Sequence, residues 1–239
     1  MLAFVLTTNP VYWLILGVGL VLSLVAAGRV KSTFARWSQV RARSGIRGAQ
    51  VAQAILQAHG IHDVRVEPVA GSLTDHYDPS SKTLRLSEPV YHSDSIAALG
   101  VAAHEVGHAI QHATRYAPLN FRSAWVPVAG IGSGLGEVLV VIGLFMAGGG
   151  GSMLVAWIGL ALFATTTVFT VVTLPVEFDA SRRAMATLEQ SRVLAADELP
   201  GARSVLNAAA MTYIAAAAVS LMQLLWWLFQ ILGSQRRDD

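Results

Sequence analysis

Apolar residues in this chain collect into four long runs, near 10–27, 125–147, 153–175 and 208–232. Each approaches or exceeds the roughly 20 residues that an α-helix needs to cross a bilayer. The second and third are separated only by the glycine-rich stretch 148–152, which predicts a transmembrane hairpin closed by a tight turn. Trp226 and Trp227 stand near the far end of the fourth run, where an interfacial aromatic belt is expected. The first run ends at Gly28-Arg29 with no basic residue ahead of it, the pattern of an uncleaved anchor rather than a signal peptide.

Only the polar stretch 28–124 is large enough for a core of its own, with a shorter polar segment at 176–207. Val51, Ile55 and Ala58 recur at helical spacing within 48–59, and Gly60 supplies a C-terminal stop. From Val64 the pattern changes to alternation, in Val64-Arg65-Val66-Glu67 and again in Thr83-Leu84-Arg85-Leu86, with Asp78-Pro79-Ser80-Ser81 as a turn. Two or three short antiparallel strands are expected. Ser93 or Asp94 can then cap a helix that runs through SIAALGVAAHEVGHAIQHATR. The predicted fold class is a mainly α membrane protein with about four transmembrane helices and a small cytoplasmic α+β domain, made of a short antiparallel sheet and the helix bearing HEVGH.

Composition agrees, since 54% of the 239 residues are hydrophobic and only 13% are charged, about half the charged share of an ordinary soluble domain. A net charge of +2 with dispersed basic residues excludes a nucleic-acid binder, and the absence of cysteine excludes disulfides and thiolate metal sites. The positions of Lys and Arg orient the chain. Eleven lie in 28–124 and four in 176–207, against two in the C-terminal tail. By the positive-inside rule the N-terminus is outside, and both polar segments are cytoplasmic.

The chemistry concentrates in HEVGH. Residues four apart share a helix face, so His104 and His108 can present two imidazoles to one ion. Glu105, beside the metal but not on it, can take a proton from the attacking water and pass it to the leaving amine. Gly107 lets another backbone or a substrate approach closely. The alternative, two buried histidines bonding within a bundle, leaves a costly polar cluster in an alanine-rich helix without a purpose.

A catalytic zinc ion usually has three protein ligands and an open position. Three residues compete for the third. His112 continues the i, i+4 series, but it lies about 12 Å along the helix from His104, too far to close the shell. It reads instead as a residue that orients a ligand or lies on the surface. Glu137 is set within the second span, away from the soluble side, and can bond across a helix interface lined by Gly130, Gly132, Gly134 and Gly136. Glu177 emerges after Leu174-Pro175 on the same side of the membrane as HEVGH, with Pro175 in the first turn of a new helix. It is the choice that topology favours. For the oxyanion, His76, Tyr77, Arg182 and Arg183 are candidate donors that spacing does not separate.

Several segments together resemble the YugP-type neutral zinc metallopeptidases, a bacterial family of membrane proteins. They are Leu73-Thr74-Asp75-His76-Tyr77-Asp78-Pro79, Leu84-Arg85-Leu86-Ser87, HEVGH, and Leu174-Pro175-Val176-Glu177-Phe178-Asp179-Ala180-Ser181. The chain is also distantly similar to membrane metalloproteases of heat-shock and prenyl-protein processing, whose third ligand lies in a Glu-x-x-Ala-Asp pattern. Here that pattern reads Glu177-Phe178-Asp179-Ala180-Ser181, so the ligand matches while Ser181 replaces the acid. Asp179 is then a candidate for the acid's orienting role. The resemblance implies a zincin-like, gluzincin-type domain with one zinc ion, in a bacterial cytoplasmic membrane. It also implies that residues 83–87 are the strand pairing with extended substrate.

Two functions follow. One is a cytoplasm-facing endopeptidase acting on membrane or membrane-proximal polypeptide. The other is a zinc-stabilised scaffold or chaperone-like protein that binds polypeptide without cleaving it. Both take the bilayer as a partner and both need His104, His108 and Glu177, but only the first needs Glu105.

Overall fold

The computed structural model describes residues 9–235, and every structural statement below concerns those residues. The two basic residues of the C-terminal tail, counted above for orientation, lie outside them. In chain order the elements are α1 (Pro10–Ser38), α2 (Gly48–Ala58), β1 (Arg65–Val69), β2 (His76–Asp78), β3 (Thr83–Ser87), α3 (Glu88–Tyr91), α4 (Ile96–Ala113), α5 (Ala117–Gly148), α6 (Leu154–Gln190) and α7 (Leu199–Gln235). Four of them, α1, α5, α6 and α7, are long and apolar enough to cross a membrane. The chain divides into two compact units, one of residues up to 25, 121–173 and from 213, the other of 26–120 and 174–212.

The first unit is built from the apolar segments. Its buried centre is Val140, Leu144, Ala156, Leu160, Trp227 and Ile231, while Leu14, Leu24, Ile131, Phe145 and Phe229 point outward, as lipid-facing side chains do. Gly136 and Gly143 lie against the backbone of Phe163 and Ala156, where a Cβ would come within 2.6 and 2.1 Å of the backbone nitrogens. Small residues thus let the hairpin helices close up. Gly132 shares this contact, whereas Gly130 and Gly134 meet nothing, so only part of the expected glycine interface forms. Glu137 accepts a hydrogen bond of 3.4 Å from the Tyr12 hydroxyl.

In the second unit α4 runs through the centre. Leu99, Ala102, Ala103, Val106 and Ala109 of α4 pack with Val51 and Ile55 of α2, Leu84 and Leu86 of β3, and Ala184 and Leu188 of α6. Each fully buried leucine here contributes roughly 1.5–3 kcal/mol by leaving water. The cap of α4 is Ser95, whose side chain accepts from Ala98 N at 3.2 Å, one residue beyond the expected pair.

The sheet departs from expectation in two ways. Its order is β1-β3-β2, with β3 parallel to β1 and antiparallel to β2, so it is mixed rather than antiparallel. The turn at 78–81 makes a hairpin of β2 and β3, with the Asp78 carboxylate accepting from Ser80 and Ser81. No such turn joins β1 to β2. The loop between them, with Gly71 and Leu73 at positive φ, carries the chain past the place that β3 then fills. β3 is therefore the central strand, flanked on both sides over Thr83–Arg85 and by β1 alone at Leu86 and Ser87, so it is not a free edge for substrate along its length. The helix expected to begin at Pro175 is instead the continuation of α6, with Pro175 inside it. An interior proline costs about 3 kcal/mol in an isolated helix, but the following turns bury Val176, Ala180, Ala184 and Leu188, which favours continuing.

Candidate metal centre

All the residues of the centre belong to the second unit. On α4, the four-residue spacing turns His104 and His108 to one face, with their rings 4.8 Å apart. α6 crosses that face closely because of Gly107. A Cβ at Gly107 would stand 2.6 Å from the carbonyl oxygen of Ala180, so any side chain would push the helices apart. Glu177, one turn before Ala180 on α6, is thereby brought to the histidine pair.

His104 Nε2 lies 3.3 Å and His108 Nε2 lies 3.5 Å from the same oxygen, Glu177 Oε2. Ligands at 2.0–2.1 Å around a tetrahedral zinc ion are separated from each other by about 3.3 Å. Each imidazole nitrogen already stands at about that distance from the Glu177 oxygen, and the three ligand atoms, all within 4.8 Å of one another, are the metal-capable trio among the described residues. The residues present fit zinc. Burial pushes the Glu177 carboxyl up, but the hydrogen bonds from the two imidazoles outweigh it and hold the group well below the usual carboxylate range. A cation at the same place would act in the same direction.

The far sides of the two rings are also held. With a metal ion on Nε2, the ring proton of His104 would sit on Nδ1, from which it can donate to Ser181 Oγ at 3.1 Å. His108 Nδ1 donates to Gln111 Oε1 at 3.0 Å. The Gln111 amide nitrogen in turn donates to Val176 O at 2.8 Å and to Asp179 Oδ2 at 2.9 Å. Those two acceptors leave the amide oxygen as the only group that can face His108. Asp179 also accepts from Arg183 at 2.5 Å and from Arg182. Burial would raise its pKa, but these bonds keep it low. Ser181 thus bonds to His104, while Asp179 is joined to the other histidine through Gln111.

Gln111 is the residue that the motif did not point to. It is fully buried and sits three positions after His108, a spacing at which helix side chains meet. The offset alone was visible in the sequence; the burial that gives it meaning was not. Gln111→Ala is expected to lower zinc affinity by about 10–100-fold, the usual effect of losing a ligand's hydrogen-bond partner. Competition with a chelator measures it, and an unchanged affinity would mean that the relay through Asp179 does not orient His108.

Glu105 is buried on α4 and its side chain makes no hydrogen bond among the described residues. Burial pushes its carboxyl up, opposed by the neighbouring imidazoles, with Asp75 adding to the rise. It is a carboxylate without a fixed partner, beside the trio. The other candidates stand away from the trio. His112 bonds through Nδ1 to the Tyr77 hydroxyl at 2.8 Å, and exposed His76 bonds to Thr74 O at 2.8 Å. Arg182 and Arg183 are both held on Asp179. None of these side chains bonds to His104, His108 or Glu177, although Arg182 and Arg183 bear on the centre through Asp179.

Residues 12–232 match the family model described as "Putative neutral zinc metallopeptidase". The chain is 44% identical over 218 residues, 91% of its length and 94% of the relative's, to "Putative membrane protease YugP" of Bacillus subtilis. No solved structure matches it.

Proposed function

This chain belongs to the neutral zinc metallopeptidase family, and on that premise we propose that it is a membrane-embedded, zinc-dependent endopeptidase with His104, His108 and Glu177 as ligands and Glu105 as general base. The observation that carries the reading is the 3.3 and 3.5 Å spacing of the two imidazole nitrogens about one Glu177 oxygen. Zinc, when bound, supplies polarisation of the scissile carbonyl and acidifies water.

The side chains do the rest. Glu105 accepts the proton of the attacking water and delivers it to the leaving amine, which lets one carboxyl serve both halves of the hydrolysis. Its raised pKa suits a group that must give the proton back. Ser181 and Gln111 fix the ring orientations, so that both Nε2 atoms stay turned to Glu177. β2 leaves one edge unpaired in the sheet, and Tyr77 of β2 touches α4 at His112. We assign the pairing of extended peptide to β2, in place of β3.

The four spans, 10–27, 125–147, 153–175 and 208–232, alternate across a bacterial cytoplasmic membrane with the N-terminus outside. Residues 28–124 and 176–207 then share the cytoplasm with the site, and the substrate is a membrane or membrane-proximal polypeptide. Incubating the zinc-loaded chain with an unfolded polypeptide and reading the products by mass spectrometry tests the endopeptidase assignment. Internal cleavages are expected; stepwise trimming from one end, or no product, would contradict it.

A further inference from the structure

One helical turn past His108, a cavity of about 610 Å³ opens beside α4, lined by Asp63, Tyr77, Lys82, His112, Arg115 and Asn120 among others. The site described above uses none of it. Lys82 forms an ion pair with Asp63. Arg115 has no ion-pair or hydrogen-bond partner for its guanidinium among the described residues, so the cavity keeps one uncompensated positive charge.

Two features of the backbone single out these cations. Lys82 has φ +48 and Arg115 has φ +53, the left-handed region where glycine fits without strain and other residues are uncommon. Arg115 follows Thr114, the C-cap of α4, at the position where helices most often place glycine. Both basic residues of the cavity thus have their side chains set by left-handed backbone, a conformation that Leu73 and Arg192 share elsewhere in the chain.

The remaining polar groups have the same sense. Burial, with Asp63 and Asp78 nearby, pushes the Tyr77 hydroxyl up to about 12, so it keeps its proton in its 2.8 Å hydrogen bond with His112 Nδ1. The second ring nitrogen of His112 carries N–H when the hydroxyl is the donor, and Asn120 offers an amide. The acid in its lining, Asp63, is already engaged by Lys82, and nearby Asp78 by Ser80, Ser81 and Arg85. What the cavity lacks is an anion.

We infer that this cavity is a substrate subsite for a carboxylate, the side chain of an aspartate or glutamate in the polypeptide being cleaved, held by the Arg115 guanidinium with help from His112. The inference rests on the peptidase reading and names the substrate class for it. The rise of the helix places His112 about 6 Å beyond His108, and an extended peptide advances about 3.3 Å per residue. The acid therefore belongs roughly two to three residues from the scissile bond.

The test is a set of fluorogenic peptides with one glutamate moved along an otherwise neutral sequence, cleaved by the full-length, zinc-loaded chain in detergent. A parallel set measures binding of the same peptides to the zinc-loaded Glu105→Gln variant. A glutamate two to three positions from the cut should raise kcat/KM roughly tenfold over the neutral peptide, as a charge-assisted hydrogen bond does. Arg115→Gly should collapse that ratio to near one and Arg115→Lys should retain most of it, with zinc content reporting that the fold persists. Cleavage and binding indifferent to the acid, or a ratio unmoved by Arg115→Gly, would overturn the inference while leaving the peptidase reading standing. Failure of every peptide to bind or be cleaved would overturn both. If Arg115→Gly instead weakened binding to nanodiscs containing phosphatidylglycerol and left the peptide ratio alone, the cavity would be a lipid headgroup site and the inference would fall.

Discussion

Glu105→Gln is expected to lower the rate of polypeptide cleavage by about 10²- to 10⁴-fold, the range that a positioned general base contributes. Zinc content should stay at the wild-type level, because Glu105 is outside the trio that can hold the ion. Gln is close in shape to Glu, and the side chain is buried without a hydrogen bond to lose, so the fold of α4 should be undisturbed. The measurement pairs metal analysis with a cleavage assay on one preparation. Activity lost with zinc kept separates catalysis from metal binding. A scaffold that only uses zinc for stability would show no cleavage by either form, on any substrate, and equal zinc in both.

Glu177→Gln should have the largest effect on the metal. The neutral amide removes the only anionic ligand of the trio and leaves one carbonyl oxygen in place of the carboxylate toward which both imidazole nitrogens are turned. Zinc affinity should fall by more than the about 10–100-fold expected for a partner of a ligand such as Gln111, and mild chelation should strip the ion. The fold should persist, because the adjoining buried residues of α6, Val176, Ala180 and Ala184, are untouched; circular dichroism checks this. Zinc retained in Glu177→Gln and lost in Glu137→Gln would place the third ligand in the wrong helix. The same ligand set fixes the sign of the pH effect. Protons compete with the ion for His104 and His108, so zinc retention should decline on acidification.

Much of this was legible in the residues alone, and the limits have physical causes. A spacing of four is enough to place His104 and His108 on one face, since a helix repeats every 3.6 residues. Long apolar runs are equally direct, because a bilayer demands length and apolarity and little else. The place of Gly107 could be read as a close approach, though what approaches, the backbone at Ala180, is a tertiary fact. Strand order is different. Alternation tells which residues share a face but not which strand lies beside which, so the central position of β3 and the parallel pairing with β1 were hidden. Pro175 misled for a related reason. Its local preference for a helix start was overridden by the burial of the apolar residues that follow. Gln111 carries its role in a hydrogen-bond chain to Asp179 that spans 68 residues of sequence, and no local pattern encodes that.

The central claim is that peptide hydrolysis depends on zinc held at the trio. Its most direct test is to strip the purified chain with a chelator and add zinc back in steps, measuring bound metal and cleavage on the same samples. Cleavage should vanish with the metal and rise in proportion to zinc, saturating at about one ion per chain, as expected for a single three-ligand catalytic site. Full cleavage by the stripped chain, or bound zinc that restores no cleavage, would contradict the account.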